Sequence, residues 1–391
     1  MAAIFAAKHG ADVLLLERTK DGGRKILISG GGRCNVLPAR VDEARYVTDS
    51  SPNLLRKMIR SWPLAEQIAF FESELRIPLV EESESAKLFP VSNKARDVRD
   101  RLLDHARAAG AELMFEAHVV GIAPRDVGWR IEQTAGAPID VDRLIVATGG
   151  LSVPNTGSDG FGLTALAALG HTIRPTYAAL TPLAANPAPF ASLAGVSLTV
   201  MITAKSEKRS AAATGGFLFT HHGYSGPAVL DVSHVAVRSL MEKGPNARIT
   251  VRWSALVDRN WQEAFKPNGA RTVAGAVRAE MPDRLAVALI TSANVDPHRT
   301  LSDLRRDERL RLIETLVRGV LPWTGDEGYK KAEVTGGGVA LDEVDPQTLE
   351  SRRCPGLFLC GEMLDAFGPI GGHNFAWAWS TGHSAGLAAG R

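Results

Sequence analysis

The chain has 391 residues, 45% hydrophobic and 23% charged, ordinary proportions for a globular protein with room for two or three domains of roughly 150 residues. That excludes whole-chain disorder, a collagen-like repeat and a disulfide scaffold. Lys and Arg number 45 against 43 Asp and Glu, a balance that predicts no nucleic-acid partner and no acidic membrane surface.

In chain order, residues 1–9 read as an Ala-rich helix stopped by Gly10. Asp12 to Glu17 follows, four apolar residues closed by an acid, the pattern of a parallel strand buried on both faces. Residues 21–36 are a glycine-rich loop, and 53–60 and 63–75 read as helices. Residues 94–109 are an amphipathic helix stopped by Gly110, followed by strand-like runs near 112–120, 128–134 and 143–148. A second glycine loop, Asn155 to Gly162, opens a helix through Leu169. Residues 173–250 carry prolines and short β-like runs, and the small-residue patch Ser210 to Gly216 reads as a mobile loop. Residues 257–320 are helical, with a mixed-sign run at Arg305 to Arg309 that reads as a solvated face. From Glu333 the glycines return.

The expected organisation is an α/β nucleotide-binding domain made of residues 1–174 and 333–391, with an insertion at 175–332 that is β-rich over 175–250 and helical over 257–320. No run reaches the roughly 18 apolar residues of a membrane span. Met1 to Ala7 lacks the basic leader of a signal peptide, so a cytoplasmic protein without a membrane partner is expected. Cys34, Cys354 and Cys360 form no metal or CxxC spacing, which predicts no metal site and suits a reducing compartment.

A Rossmann unit runs strand, glycine turn, helix, strand, acid, with the pyrophosphate on the turn and the ribose hydroxyls on the acid. Residues 1–17 supply the helix, the second strand and the acid, Glu17, with Arg18 beside it. The first strand and the G-x-G-x-x-G turn would lie immediately before Met1, and the adjacent upstream reading frame is expected to encode them. Further glycine loops follow β-like runs at Ala147-Thr148-Gly149-Gly150 and at Gly368 to Asn374, where a helix opens; such loops let a backbone approach a ligand closely.

The run Gly23-Arg24-Lys25-Ile26-Leu27-Ile28-Ser29-Gly30-Gly31-Gly32-Arg33-Cys34-Asn35 resembles the signature of the YhiN/BaiN-type NAD(P)/FAD-dependent oxidoreductases. The resemblance continues in order through residues 147–150, 156–162, 218–227, 334–339, 361–365 and 371–374, nearly the whole chain. It implies a two-dinucleotide-binding-type FAD domain, with a β-barrel-like insertion and a small helical part. It also implies that Glu17 holds the adenosine ribose. Lys25, Ser29, Gly30, Gly32, Arg33, Cys34 and Asn35 would then line the flavin side, and Thr148, Gly149 and Gly150 the adenine half. Gly361, Glu362, Asp365, Gly371, Gly372, His373 and Asn374 would lie toward the ribityl chain and isoalloxazine, with the terminal helix stabilising charge on reduced flavin. Position 373 is His where relatives often carry Tyr.

His373 beside Asn374 is the catalytic candidate, as a proton donor or flavin-polarising group, because histidine titrates near neutral pH; the alternative is a packing residue at a helix start. Arg33 is either an anion-binding fork or an ion-pair partner. Cys34 is either near flavin or a buried thiol. His221-His222 is either a turn or a substrate-facing lip, and Trp377 and Trp379 read as core. The expected function is hydride or electron transfer between FAD and a small organic substrate with a conjugated C=C bond. NAD(P)H is a plausible donor, although no second G-x-G-x-x-G is present. The substrate would enter between the FAD domain and the insertion. The alternatives are a non-redox flavin-binding module or a remnant with impaired FAD binding. Oligomeric state is not legible.

Overall fold

The computed structural model describes residues 1–83 and 85–391. It divides into two compact units, Met1–Ala178 with Glu333–Arg391, and Ala179–Ala332. Each is taken by itself.

In the first unit, the helix Ala2–Lys8 ends before Gly10 and leads into the strand Leu14–Glu17. That strand pairs in parallel with Glu112–Phe115, setting Glu17 opposite Phe115. All four of its residues are half-buried, and it has this one partner among the described residues. The full burial that its apolar run predicts is therefore not reached. A second parallel pair joins Leu144–Val146 to Leu357–Leu359. Apolar β-branched and Leu residues suit such pairs.

The terminal helix His373–Ala389 is a central support of this unit. Trp377 and Trp379 are buried on it. Their indole N–H groups donate to the carbonyls of Gly361 and Val36, at 3.0 and 3.1 Å. Small residues Gly382 and Gly386 let Met1 and Ala2 pack directly on its backbone. The glycine-rich segment 21–36 is not the open loop that its composition suggests. It contains the short helix Arg24–Ile28 and a tight turn at Ser29–Gly32, with Gly30, Gly31, Gly32 and Cys34 all at positive φ.

The second unit carries a seven-stranded antiparallel sheet with two edges rather than a closed barrel. Its long central pair is Ser197–Lys205 with Ser210–Phe219, in register from Ser197 opposite Leu218 to Lys205 opposite Ser210. The patch Ser210–Gly216 is thus ordered strand, not a mobile loop. Its small residues lie where the helix Pro227–Met241 packs: a Cβ on Gly215 would stand 3.7 Å from the Ala228 amide. Val200, Ile202, Phe217, Val229, Val232 and Val251 form the core between sheet and helix. The helices Asp258–Ala264, Val273–Val277, Asp283–Ser292 and Arg306–Arg318 complete the unit. His221 and His222 sit exposed in a turn between strands.

Candidate flavin site

The first cluster gathers residues far apart in sequence. Lys25, on the first turn of Arg24–Ile28, donates to Ser152 Oγ at 2.5 Å and pairs with Glu362. Glu362 Oε1 accepts from Ser152 Oγ at 2.5 Å and from the Thr335 amide at 2.9 Å. Thr335 Oγ1 in turn accepts from the amides of Leu151 and Ser152, at 2.7 and 3.1 Å. Gly150 is required here: a Cβ would stand 2.6 Å from Thr335 Cβ and 3.1 Å from Glu362 Oε1. The sequence reading singled out Lys25, Gly150 and Glu362 but missed Ser152 and Thr335. Their signal was adjacency to the glycine motifs at 149–150 and 336–338.

Glu362 is the hub, since three donors converge on one half-buried carboxylate. Glu362→Ala is expected to leave the Ser152 hydroxyl and the Thr335 amide without this acceptor, and Lys25 without its counter-charge. The loss is expected to be about 2–3 kcal/mol, the cost of breaking a partly buried, hydrogen-bonded pair from one side. Urea unfolding of the purified variant checks this, and a change below about 0.5 kcal/mol would contradict it.

The second cluster surrounds the start of the terminal helix. Gly371 and Gly372 turn left-handed, with φ of 104° and 90°, before His373. The buried Asn35 amide lies between the Leu37 carbonyl and the Gly372 N–H, at 3.1 and 2.8 Å, with its oxygen assigned toward Gly372 because that orientation satisfies both. Asn374 closes the preceding loop: its Oδ1 accepts from the Gly368 amide at 2.9 Å and its Nδ2 donates to the Gly368 carbonyl at 3.0 Å. Both ends of Asn374 are thereby occupied, so its role here is to position the loop rather than to move a proton.

His373 is buried, and its Nδ1 has no hydrogen-bond partner. Burial, aided by the Arg45 charge, pushes its pKa down to about 4. The neutral-pH titration assumed for it therefore does not hold: at pH 7 it is a neutral ring able to orient or hydrogen-bond, not an imidazolium donor. Asp365 is buried with Oδ2 accepting from Thr48 Oγ1, the Asp49 amide and Ser50 Oγ, at 3.1, 3.0 and 2.9 Å. Burial nonetheless raises its pKa to about 6.

The remaining predicted residues are placed as follows. Glu17 Oε1 accepts from both the amide and the hydroxyl of Thr19, at 2.7 Å each. Arg18 pairs with Asp159 at the surface. Ser29 Oγ donates to the Ile26 carbonyl at 2.7 Å, and Gly30 and Gly32 continue that turn. Arg33 reaches Glu82 at 3.1 Å and lies 4.0 Å over the Phe89 ring, which favours the ion-pair alternative. Cys34 is fully buried, with burial raising its thiol to about 11, the behaviour of an inert core cysteine. Thr148 packs against Gly162, and Gly149 faces Ser158. Gly361 donates to Thr381 Oγ1 at 2.9 Å.

The terminal helix is 17 residues long and no side chain caps its first turn. Its leading amide groups make a donor-rich corner beside two glycines, which suits an electron-rich ring edge. The residues present therefore fit the flavin side of FAD.

The whole chain agrees with a known family. Residues 1–388 match the HI0933-like protein Rossmann domain. The chain belongs to the HI0933-like family. The matched domain is of Rossmann type. It is similar to a ribosomal RNA dihydrouridine synthase of Escherichia coli, 30% identical over 388 residues, covering 96% of this chain and 92% of the relative. It is equally similar to a 3-dehydro-bile acid delta(4,6)-reductase of Clostridium scindens, 30% identical over 397 residues, covering 100% and 96%. Among solved structures, a 3-ketosteroid-delta4-(5alpha)-dehydrogenase from Rhodococcus jostii is 16% identical over 100% of this chain and 94% of that one, with a TM-score of 0.48. Two of the relatives are named for ribosomal RNA, so the near-zero net charge does not by itself remove nucleic acid as a partner. Among the described residues, no helix is long and apolar enough to cross a membrane, and no cluster of His, Cys, Asp and Glu could hold a metal ion.

Proposed function

We propose that this HI0933-like protein reduces a ring C=C bond conjugated to a carbonyl, with NAD(P)H as the source of electrons. The observation that carries the reading is the chemistry shared by the two relatives. A dihydrouridine synthase saturates the uracil C5=C6 bond, which is conjugated to the C4 carbonyl, and a delta(4,6)-reductase saturates ring C=C bonds of a 3-keto compound. Both are additions of hydride and a proton to a polarised alkene, on chains about 30% identical to this one over almost their full lengths.

When bound, FAD supplies the hydride chemistry. The chain's own residues hold and tune it: Glu17 at the ribose, Lys25 and Glu362 along the ribityl side, and the uncapped terminal helix at the ring edge, where its dipole favours negative charge. The neutral His373 ring supplies a fixed hydrogen-bonding group there. The three cysteines are free, which suits work in the reducing cytoplasm.

The test is anaerobic incubation of the FAD-loaded protein with NADPH or NADH and either uridine or a cyclic enone. Expected is flavin bleaching by the nicotinamide, recolouring by the alkene, and a product heavier by two hydrogens. A flavin that bleaches but is recoloured only by oxygen, with no saturated product, would overturn the reading. His373→Ala is expected to slow turnover about 10- to 100-fold while FAD is retained, measured as single-turnover reoxidation; an unchanged rate would remove His373 from the mechanism.

A further inference from the structure

The two glycine turns placed on the flavin side share a neighbour, the short strand Lys87–Pro90. It pairs antiparallel with Leu37–Pro38 on one side and Leu79–Glu82 on the other. Alternate side chains of a strand share a face, so Lys87 and Phe89 point the same way. Phe89 lies against the first turn: a Cβ on Gly30 would stand 3.1 Å from its ring. Lys87 lies against the second: a Cβ on Gly371 would stand 3.6 Å from its Cε and 3.7 Å from its Cγ. The same point is 3.9 Å from the unpartnered His373 Nδ1. The lysine stem therefore runs along the turn that opens the terminal helix, and it carries its ammonium to the corner formed by that turn and His373.

The surrounding charges leave this ammonium uncommitted. Among the described residues no carboxylate pairs with it. The one opposite it in the register, Glu82, is engaged by Arg33 at 3.1 Å and by Ser85 Oγ at 2.6 Å. The Ser85 hydroxyl and the Arg33 guanidinium hold the Glu82 carboxyl below its usual range, and the Lys87 charge contributes less. Of the charged groups that act on His373, Arg45 and Asp42 have opposite signs. Lys87 is half-buried, with its apolar stem packed on Gly371. A cation in this place faces the positive end of an uncapped helix. Two like charges side by side are unfavourable by themselves, and an anionic group between them turns both contacts favourable.

We infer that Lys87 is the cation that faces the N1–C2 edge of bound flavin and stabilises the negative charge which that edge carries when the ring is reduced. The inference rests on this corner being the flavin side of FAD, and it adds a residue that the glycine motifs do not contain. The helix terminus offers about half an elementary charge, and Lys87 adds a full one. Its effect belongs to the cofactor, so it should be measurable with no substrate present.

The test compares the full FAD-loaded chain with its Lys87→Met and Lys87→Arg variants by two readouts. One is the reduction potential of the bound flavin against a reference dye. The other is titration with sulfite, followed by the loss of flavin absorbance. Sulfite bonds through its sulfur to flavin N5, and the electron pair it brings ends as negative charge at the N1–C2 edge, so its affinity reads the charge there. Lys87→Met keeps the packing of the stem and removes the ammonium. It is expected to bind sulfite about tenfold more weakly. Its potential is expected to fall by about 30 mV, the equivalent of tenfold for a two-electron couple. Lys87→Arg should restore both, which a role in packing alone would not do. Equal potentials in the parent and Lys87→Met, both carrying FAD, would overturn the inference and leave the flavin site standing, as would a yellow parent that takes up no sulfite. A parent chain that retains no FAD would overturn the site itself and the inference with it.

Discussion

Gly372→Ala is expected to be among the most damaging single-methyl additions in the chain. Gly372 holds φ at 90°, and an added Cβ would stand 2.5 Å from the Leu37 carbonyl carbon, 2.7 Å from the Pro38 nitrogen and 2.8 Å from the Leu37 oxygen. These are backbone atoms, so no side-chain rotation relieves the overlap. The Gly372 amide is also the donor to Asn35 at 2.8 Å, and moving it pulls the glycine turn away from the start of the terminal helix. Positive φ costs a non-glycine residue about 1–2 kcal/mol, and overpacking adds about 1–3 kcal/mol more. The expected loss is about 2–5 kcal/mol in urea unfolding, together with loss of FAD retention. Gly31→Ala is the internal control. It has φ of 68° but nothing within 4 Å of its added Cβ, so it should lose only about 1 kcal/mol. Equal losses in the two variants would mean that backbone conformation, rather than the close approach of the two chain segments, decides the effect.

Stability should also fall as the pH is lowered from about 6 to 4.5, before most carboxylates protonate. His373 and His383 both have pKa values pushed from 6.5 down to about 4, chiefly by burial. His383 is stacked on Trp62 at 4.4 Å, with its Nδ1 unpartnered. Between pH 6.5 and 4 the unfolded chain therefore binds a proton at each histidine that the folded chain refuses, and folding weakens as pH falls. Asp365 works in the opposite sense. Its folded carboxyl is protonated below about 6 and its unfolded carboxyl only near 3.8, so it adds stability in the same window. The balance is two protons against one. One net proton corresponds to about 1.4 kcal/mol per pH unit, or about 2 kcal/mol across the window. Asp365→Asn removes the offset and should roughly double the slope. Urea midpoints measured at intervals from pH 7 to 4.5 check both, and a flat profile in the parent protein would contradict the burial of the two rings as a stability determinant.

Much of the frame was legible because it rests on short-range rules. Gly10 and Gly110 mark the ends of helices where the glycine stop predicts them, and the apolar run ended by Glu17 is the strand it reads as. The helical character of 257–320 also follows from periodicity. What was not legible depends on partners distant in sequence. Ser210 to Gly216 has the composition of a loop but is strand, because nine consecutive residues of a neighbouring strand and the packing of Pro227–Met241 select small side chains there. The Lys25–Ser152–Glu362–Thr335 cluster joins four segments that no spacing rule connects. The histidine at 373 was visible as a candidate, yet its protonation was misjudged because burial, which sets its pKa, is a property of the fold.

The central claim is that the glycine turn at Gly371–Gly372, the terminal helix and the Glu362 hub hold FAD. The visible absorption spectrum of the 391-residue protein, after incubation with FAD and gel filtration, tests it most directly. The account predicts a yellow protein carrying close to one flavin per chain, and a colourless Gly372→Ala variant. Colourless parent protein, with all the FAD eluting free, would contradict it.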